Sequence, residues 1–210
     1  MPVTFTQEPH DPDALVRALQ RGGYAAIVCA SARAATAVIL AKGHAPLPEV
    51  WAVGPATARV LEAARVPVIV PPVDQARDGA SLARALLAAR PLAGKRVLVP
   101  RAEDGRDELL EILREAGAEV DGVIAYRTIA VAADDPDVQR GLGLLVGHEA
   151  AVCVVFAPSQ VTALASVVAS RGGALARLRT PFVAIGETTG AALRAAAVEP
   201  GAIAAMPTPA

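Results

Sequence analysis

The chain has 210 residues, 53% hydrophobic and 20% charged, with a formal net charge of −1, so it can bury one large core or two small ones and is neither disordered nor fibrous. Its Lys and Arg residues form no run of five, and aromatics make up only 3% of the chain, which argues against a nucleic-acid footprint and a base-stacking platform. No apolar run reaches the length of a membrane span, and MPVTFTQEPH lacks the basic start and apolar stretch of a signal peptide; a cytoplasmic protein with no membrane partner is expected.

Taken in order, Val3–Gln7 (VTFTQ) alternates and reads as a strand that does not easily belong to the central sheet of the first lobe. Near-continuous apolar runs of strand length follow at Tyr24–Ala30, Val50–Val53, Val66–Val70, Lys95–Val99, Val120–Tyr126, Ala151–Phe156, Pro181–Ile185 and Ala202–Ala205. Such runs suit parallel strands covered on both faces. Helical spacing fills the intervals at Pro12–Arg21, Ala32–Lys42, Pro55–Arg65, Ser81–Ala89, Gly105–Ala116, Ser159–Arg171 and Thr188–Ala197. In the fifth of these, Leu109, Leu110 and Leu113 form an apolar stripe and Glu108, Glu111, Arg114 and Glu115 the solvent side. The alternation implies an α/β protein with parallel sheets.

Near Ala130–Arg140 the acidic, Pro-containing VAADDPDVQR interrupts the pattern, with five strands before it and three after it. The expected organisation is a connector strand over 1–9, a first α/β lobe over 10–125, a second connector strand over 126–132 and a second, incomplete α/β lobe over 133–210. Val3–Gln7 pairing with Tyr126–Val131 would form the connector. Cys29 and Cys153 lie inside apolar strand runs and read as buried, inert thiols.

The chain repeats itself. WAVGPATARVL (Trp51–Leu61) returns as VAIGETTGAAL (Val183–Leu193), which sets Gly54 on Gly186, Thr57 on Thr189 and Leu61 on Leu193. Upstream, VCASARAATA lies near VVFAPSQVTAL in the same alignment. Two similar doubly wound lobes are the economical interpretation.

In parallel sheets, ligands collect beyond the carboxyl ends of the strands, where helix N-termini present free N–H groups. The turns Ala30–Arg33, Gly54–Thr57, Ala157–Gln160 and Gly186–Thr189 occupy such positions, and Pro100–Gly105 adds the cation Arg101. Their hydroxyls and N–H groups suit either helix capping or the binding of phosphates and carboxylates. GLGLLVG (Gly141–Gly147) follows polar sequence rather than a strand and is not read as a dinucleotide loop. His10, His44 and His148 are dispersed, so no metal is expected, and Asp134, Asp135 and Asp137 read as a solvated linker. Tyr126, at the end of a strand run, reads either as a phenol placed to donate to a leaving group or as an amphipathic tyrosine with its ring in the core and its hydroxyl wet.

The segments AVGPATARVLEAARVPV, GKRVLVPRAEDGRDELLEILREAGAEVDGVIAYRT, VVFAPSQVTAL and FVAIGETTGAALRAAAVEP, followed by AMPTP, resemble in order and spacing the uroporphyrinogen-III synthases. The resemblance covers roughly Tyr24 to Thr208 and implies a cofactor-free lyase of porphyrin and heme biosynthesis, with two α/β lobes joined by a two-stranded connector. Its substrate would be the linear tetrapyrrole hydroxymethylbilane, cyclised with loss of water and inversion of the last pyrrole ring. Tyr126 matches the tyrosine proposed in the family to assist hydroxyl departure. Ser31, Thr57, Arg101, Ser159, Thr188 and Thr189 match cleft-lining positions, and Gly54 and Gly186 open the two repeated turns. Ala157 stands where Ser or Thr is common.

Family members normally carry a further strand and helix before Val3 and a helix after Pro209, so the second lobe is expected to keep an exposed sheet edge. By resemblance the chain is a monomer, with a dimer through that edge as the alternative. The competing functional reading is a non-catalytic tetrapyrrole- or anion-binding module of the same fold.

Overall fold

A computed structural model describes residues 1–204. The chain divides into two compact units, one formed by Gln7–Arg127 and the other by Met1–Thr6 together with the chain from Thr128 onward. The fold is mixed α/β with parallel sheets. Among the described residues no helix is long and apolar enough to cross a membrane.

In the unit Gln7–Arg127 the strands are β2 (Tyr24–Cys29), β3 (Glu49–Ala52), β4 (Val68–Ile69), β5 (Arg96–Ala102) and β6 (Glu119–Ala130), the last running on past the unit. With β1 (Thr4–Gln7) they form a six-stranded sheet ordered β1-β6-β5-β2-β3-β4, so the first strand, expected outside this sheet, joins it at the edge beside the long β6. The pairs β2–β3, β3–β4, β2–β5 and β5–β6 are all parallel. Starting at β2, the chain builds outward through β3 and β4, then returns to the other side of β2 to lay down β5 and β6. The direction of winding therefore reverses between β2 and β5.

Why the strands read as continuous apolar runs is visible in their alternation. Ala26, Val28, Val97 and Val99 point into one core with Leu82, Leu86, Leu109, Leu110 and Leu113. Ile27, Cys29, Val50 and Leu98 point into another with Leu15, Ala35, Val38, Ala58 and Leu61. Helices α1 (Ala14–Arg21), α2 (Ala32–Lys42) and α3 (Pro55–Ala63) thus cover one face, and α4 (Gly79–Ala89) and α5 (Glu108–Glu115) the other. A strand buried on both faces has no polar side to alternate with. Cys29 is fully buried, and burial pushes its thiol up to about 12, so it stays protonated and unreactive at neutral pH.

The other unit differs from expectation at its start. The stretch read as a solvated interruption contains α6 (Pro136–Val146). Asp135 caps it, its carboxylate accepting the N–H groups of Asp137 and Val138, and Pro136 fills the first helical position, where a missing N–H costs nothing. Val138, Leu142 and Leu145 supply the buried stripe. GLGLLVG is therefore helical through Val146, and Gly141 is where Met1 packs: a Cβ there would lie 2.5 Å from that of Met1.

Beyond α6, β7 (Cys153–Val155), β8 (Phe182–Ala184) and β9 (Ala202–Ile203) form a parallel sheet in that order, connected by α7 (Pro158–Ala169) and α8 (Glu187–Ala195). The last residue of the predicted Ala202–Ala205 run lies outside the described residues. Val155, Phe182 and Ala184 are buried with Val161, Leu164, Val167 and Leu193. Residues of opposite parity on β7 and its flanks, Val152, Val154 and Phe156, are exposed, and β7 is an edge strand of this sheet. Val131 donates its N–H to the carbonyl of Val3, which ties β1 to the end of β6.

The sequence repeat persists down to individual hydrogen bonds. Thr57 and Thr189 are each 3% exposed. Both helices close with the same 6→1 bond, Val66 N–H to Leu61 O at 3.0 Å and Val198 N–H to Leu193 O at 2.9 Å. Between them Arg65 and Ala197 both adopt φ of 58°, the left-handed position that glycine usually fills at a helix end.

Candidate active site at the carboxyl ends of β2 and β5

The reversal between β2 and β5 leaves the helices after those strands on opposite faces of the sheet, which opens a crevice at their carboxyl ends. A cavity of about 210 Å³ lies there. Ser31 enters it from the turn after β2, Arg101 from the end of β5, Asp78 from the start of α4, and Tyr126 from β6; Gly105 and Arg106 close one side. Sequence reasoning picked out Ser31, Arg101 and Tyr126, and the structure brings these three together around one space.

Tyr126 owes its placement to a break in register. Arg101 is opposite Ile124 but Ala102 is opposite Tyr126, so Ala125 is left without a partner of its own. Such an irregularity re-aims the side chains beyond it. The backbone is then fixed again by the Glu103 N–H, which donates to the Tyr126 carbonyl at 3.0 Å. The phenol oxygen lies 3.1 Å from Ser31 Oγ. Ser31 is itself held as the N-cap of α2, in extended conformation, with Oγ accepting the Ala34 N–H at 3.1 Å.

Arg101 is 17% exposed along its side chain and already engaged. Its guanidinium donates to the Asp107 carboxylate and to the Gly105 carbonyl, and its Nε is buried with no hydrogen-bond partner among the described residues. A buried N–H left unpaired is costly to the fold. Asp78 forms a capping box with Ser81 at the start of α4. Burial raises its carboxyl, but the Ser81 hydroxyl and N–H, with the charges of Arg106 and Arg84, outweigh that and leave it below the ordinary carboxylate value. At the rim, Arg127 pairs with Glu103 at 3.0 Å.

The structure does not bring Gly54 or Thr57 into this cavity. Gly54 is the extended N-cap of α3, with open space where a side chain would project, and Thr57 is buried in the first turn. In the other unit Gly186 is the N-cap of α8; Thr188 is exposed in its first turn and Thr189 buried. Ser159 is exposed in the first turn of α7, whose N-cap Ala157 offers no side-chain bond. Missed by sequence reasoning were Asp78 and Arg106, while Gly105 was named only as the end of the Pro100–Gly105 turn. For Asp78 a signal existed: Asp78 and Ser81 have the spacing of a capping box.

The family described as HEM4, uroporphyrinogen-III synthase HemD, matches residues 1–210. Among solved structures, uroporphyrinogen-III synthetase from Helicobacter pylori 26695 superposes with a TM-score of 0.64 at 17% identity, over 99% of this chain and 86% of that one. A mutant uroporphyrinogen III synthase from Thermus thermophilus gives 0.61 at 21% identity, over 97% of this chain and 81% of that one. No curated protein matches the sequence. The structural likenesses carry the fold, and the match along the full length carries the kinship: the chain belongs to the uroporphyrinogen-III synthase HemD family.

Proposed function

We propose that this protein is a uroporphyrinogen-III synthase, a cyclising lyase that closes hydroxymethylbilane with inversion of its last pyrrole ring. The observation that carries the reading is the full-length family match on a chain whose sheet crevice holds a phenol, a hydroxyl and an arginine around one cavity. In this reading the two units are two doubly wound lobes joined by the two-stranded connector, the protein is cytoplasmic, and no cofactor takes part.

The chemistry asks little of the protein beyond geometry. Tyr126 donates its proton to the departing hydroxyl, the C–O bond breaks, and water leaves behind a cationic azafulvenium and a phenolate. The cation is attacked by the substituted carbon of the last pyrrole. The resulting spiro intermediate fragments and recloses through the free carbon of that ring. The proton released on rearomatisation returns to the phenolate, so the enzyme ends as it began. Holding the linear chain folded contributes most of the selectivity, since the competing closure needs no inversion. The carboxylates of the substrate suit the guanidinium of Arg101, which lines the cavity. Gly54, Thr57, Ser159, Gly186, Thr188 and Thr189 are proposed as further substrate contacts.

The test is an isomer assay. The purified chain should convert hydroxymethylbilane to the type III product faster than type I forms spontaneously; type I alone would overturn the reading. A binding module without turnover is the second reading, favoured by the missing cap hydroxyl at Ala157. Tetrapyrrole binding by calorimetry with no type III product would establish it. A monomer is the proposed state. The competing state pairs two copies along the edge of β7, where no charge lies between Ala150 and Ser170 and an antiparallel pairing about Val154 would set Val152 against Phe156 of the copy. Sedimentation decides, because only the dimer gives a concentration-dependent mass.

A further inference from the structure

The Ser31–Tyr126 contact has a direction, and that direction follows from what Ser31 already does. Its Oγ accepts the Ala34 N–H, which uses one lone pair of the hydroxyl. The hydroxyl has a single hydrogen, and Tyr126 Oη at 3.1 Å is the one acceptor found for it among the described residues. Were the phenol to donate to Ser31 instead, the serine hydrogen would have no protein acceptor and the phenol would have no hydrogen left for the cavity. With Ser31 donating, the chain of bonds runs one way, from Ala34 N–H to Ser31 Oγ–H to Tyr126 Oη–H and into the cavity.

We propose that Ser31 is the positioning residue of Tyr126: it donates to the phenol oxygen, aims the phenol hydrogen at the cavity, and stabilises the charge left on that oxygen when the proton departs. The proposal rests on the reading of Tyr126 as proton donor. It also changes the assignment of Ser31, whose one hydrogen is committed to the phenol and not to a substrate carboxylate. Two features make the arrangement suitable. Ser31 is fixed by its own capping role in an 11-residue helix, whose N-terminal partial charge favours negative charge nearby. Tyr126 is fixed by the register break that precedes it.

The experiment compares kcat and KM for type III formation in the full chain carrying Tyr126→Phe, Ser31→Ala, Ser31→Thr, Ser31→Asp and the Ser31→Ala/Tyr126→Phe pair. Tyr126→Phe should lower kcat on the order of 100-fold, the usual range for losing a positioned acid. Ser31→Ala should lower kcat roughly tenfold with KM unchanged, and the double variant should be no slower than Tyr126→Phe, because Ser31 acts only through the phenol. Ser31→Thr, which keeps both cap and donor, should retain the rate. Ser31→Asp separates capping from donation: aspartate caps as well as serine but has no hydrogen to give, so its stability should hold while kcat falls at least as far as in Ser31→Ala.

A Ser31→Asp or Ser31→Ala enzyme within about twofold of wild-type kcat beside a slow Tyr126→Phe enzyme would overturn the proposal alone; twofold is well inside what one lost hydrogen bond costs. Losses that multiply in the double variant would do the same. A Tyr126→Phe enzyme at wild-type kcat would instead overturn the reading of Tyr126, and this proposal with it.

Discussion

Arg101 shows how one side chain can be both legible and misjudged. Its place after an apolar strand marks it in sequence as a cation at the mouth of a sheet, but not as one already held by a neighbour six residues on. In the proposed function, a substrate carboxylate would compete with Asp107 for the same guanidinium. Asp107 makes no side-chain cap on α5, so removing its carboxylate costs the helix little. Asp107→Ala is therefore expected to lower KM for hydroxymethylbilane by about 2- to 5-fold, the scale of an ion pair whose carboxylate is exposed, with kcat little changed; an unchanged KM in steady-state kinetics would show that the pair does not compete. Ser31 and Tyr126 illustrate the opposite difficulty. Each was visible by position, but their contact joins residues 95 apart and depends on a register break that no local pattern announces.

A second cluster at the residue scale sits at the other end of the same strands. Tyr24 donates to Asp121 Oδ2 at 2.6 Å, Arg96 donates to the same oxygen at 2.6 Å, and the Arg96 guanidinium lies 4.5 Å from the centre of the Tyr24 ring. The Tyr24 hydroxyl, outweighing burial together with Arg96 and Arg21, holds the Asp121 carboxyl below its ordinary value of 3.8. A depressed carboxyl stabilises the fold above its unfolded pKa, and that contribution is lost as pH falls through the folded value. The difference in Tm between wild type and Asp121→Asn should therefore be largest near neutrality and shrink below pH 3.8. A difference independent of pH would show that the carboxylate charge contributes nothing.

At the scale of elements, legibility followed burial. Strands β2 and β5 were readable because both faces are covered, which writes apolar residues at every position. Helix α6 was not, because Pro136 and its acidic cap resemble a linker and Gly141 and Gly143 obscure the stripe of Val138, Leu142 and Leu145. The repeated turn was readable as a repeat, but its meaning lay in features beyond the matched letters. Both copies bury the threonine and both end on a non-glycine residue at φ 58°. That conformation costs an L-residue on the order of 1 kcal/mol, and glycine relieves it. Ala197→Gly should accordingly stabilise the protein by roughly 0.5–1 kcal/mol in urea denaturation, the relief being partly offset by the freedom glycine adds to the unfolded chain. Destabilisation would mean that the Ala197 side chain contributes packing that outweighs the strain.

For the molecule as a whole, five strands before the acidic stretch and three after it were countable from sequence, and the structure distributes them into two sheets with separate cores. The order β6-β5-β2-β3-β4 was not countable, because it is set by which side of β2 the chain returns to. Separate cores have a consequence that the single tryptophan can report. Trp51 lies in the unit Gln7–Arg127, 5% exposed and in one buried cluster with Leu82 and Leu86. Leu98 is fully buried in that unit and Leu164 nearly so in the other. Truncating either to alanine removes packing worth about 2–5 kcal/mol at its own site. If the two cores melt as separate cooperative blocks, Leu98→Ala will lower the denaturation midpoint seen by Trp51 fluorescence, whereas Leu164→Ala will lower only the portion of the far-UV circular dichroism transition that belongs to α6, α7 and α8. Fluorescence and dichroism would then disagree in the Leu164→Ala protein and would disagree in the reverse sense in Leu98→Ala. Coincident shifts of both probes in both variants would mean that β6, which passes from one unit to the other, couples them into a single folding transition.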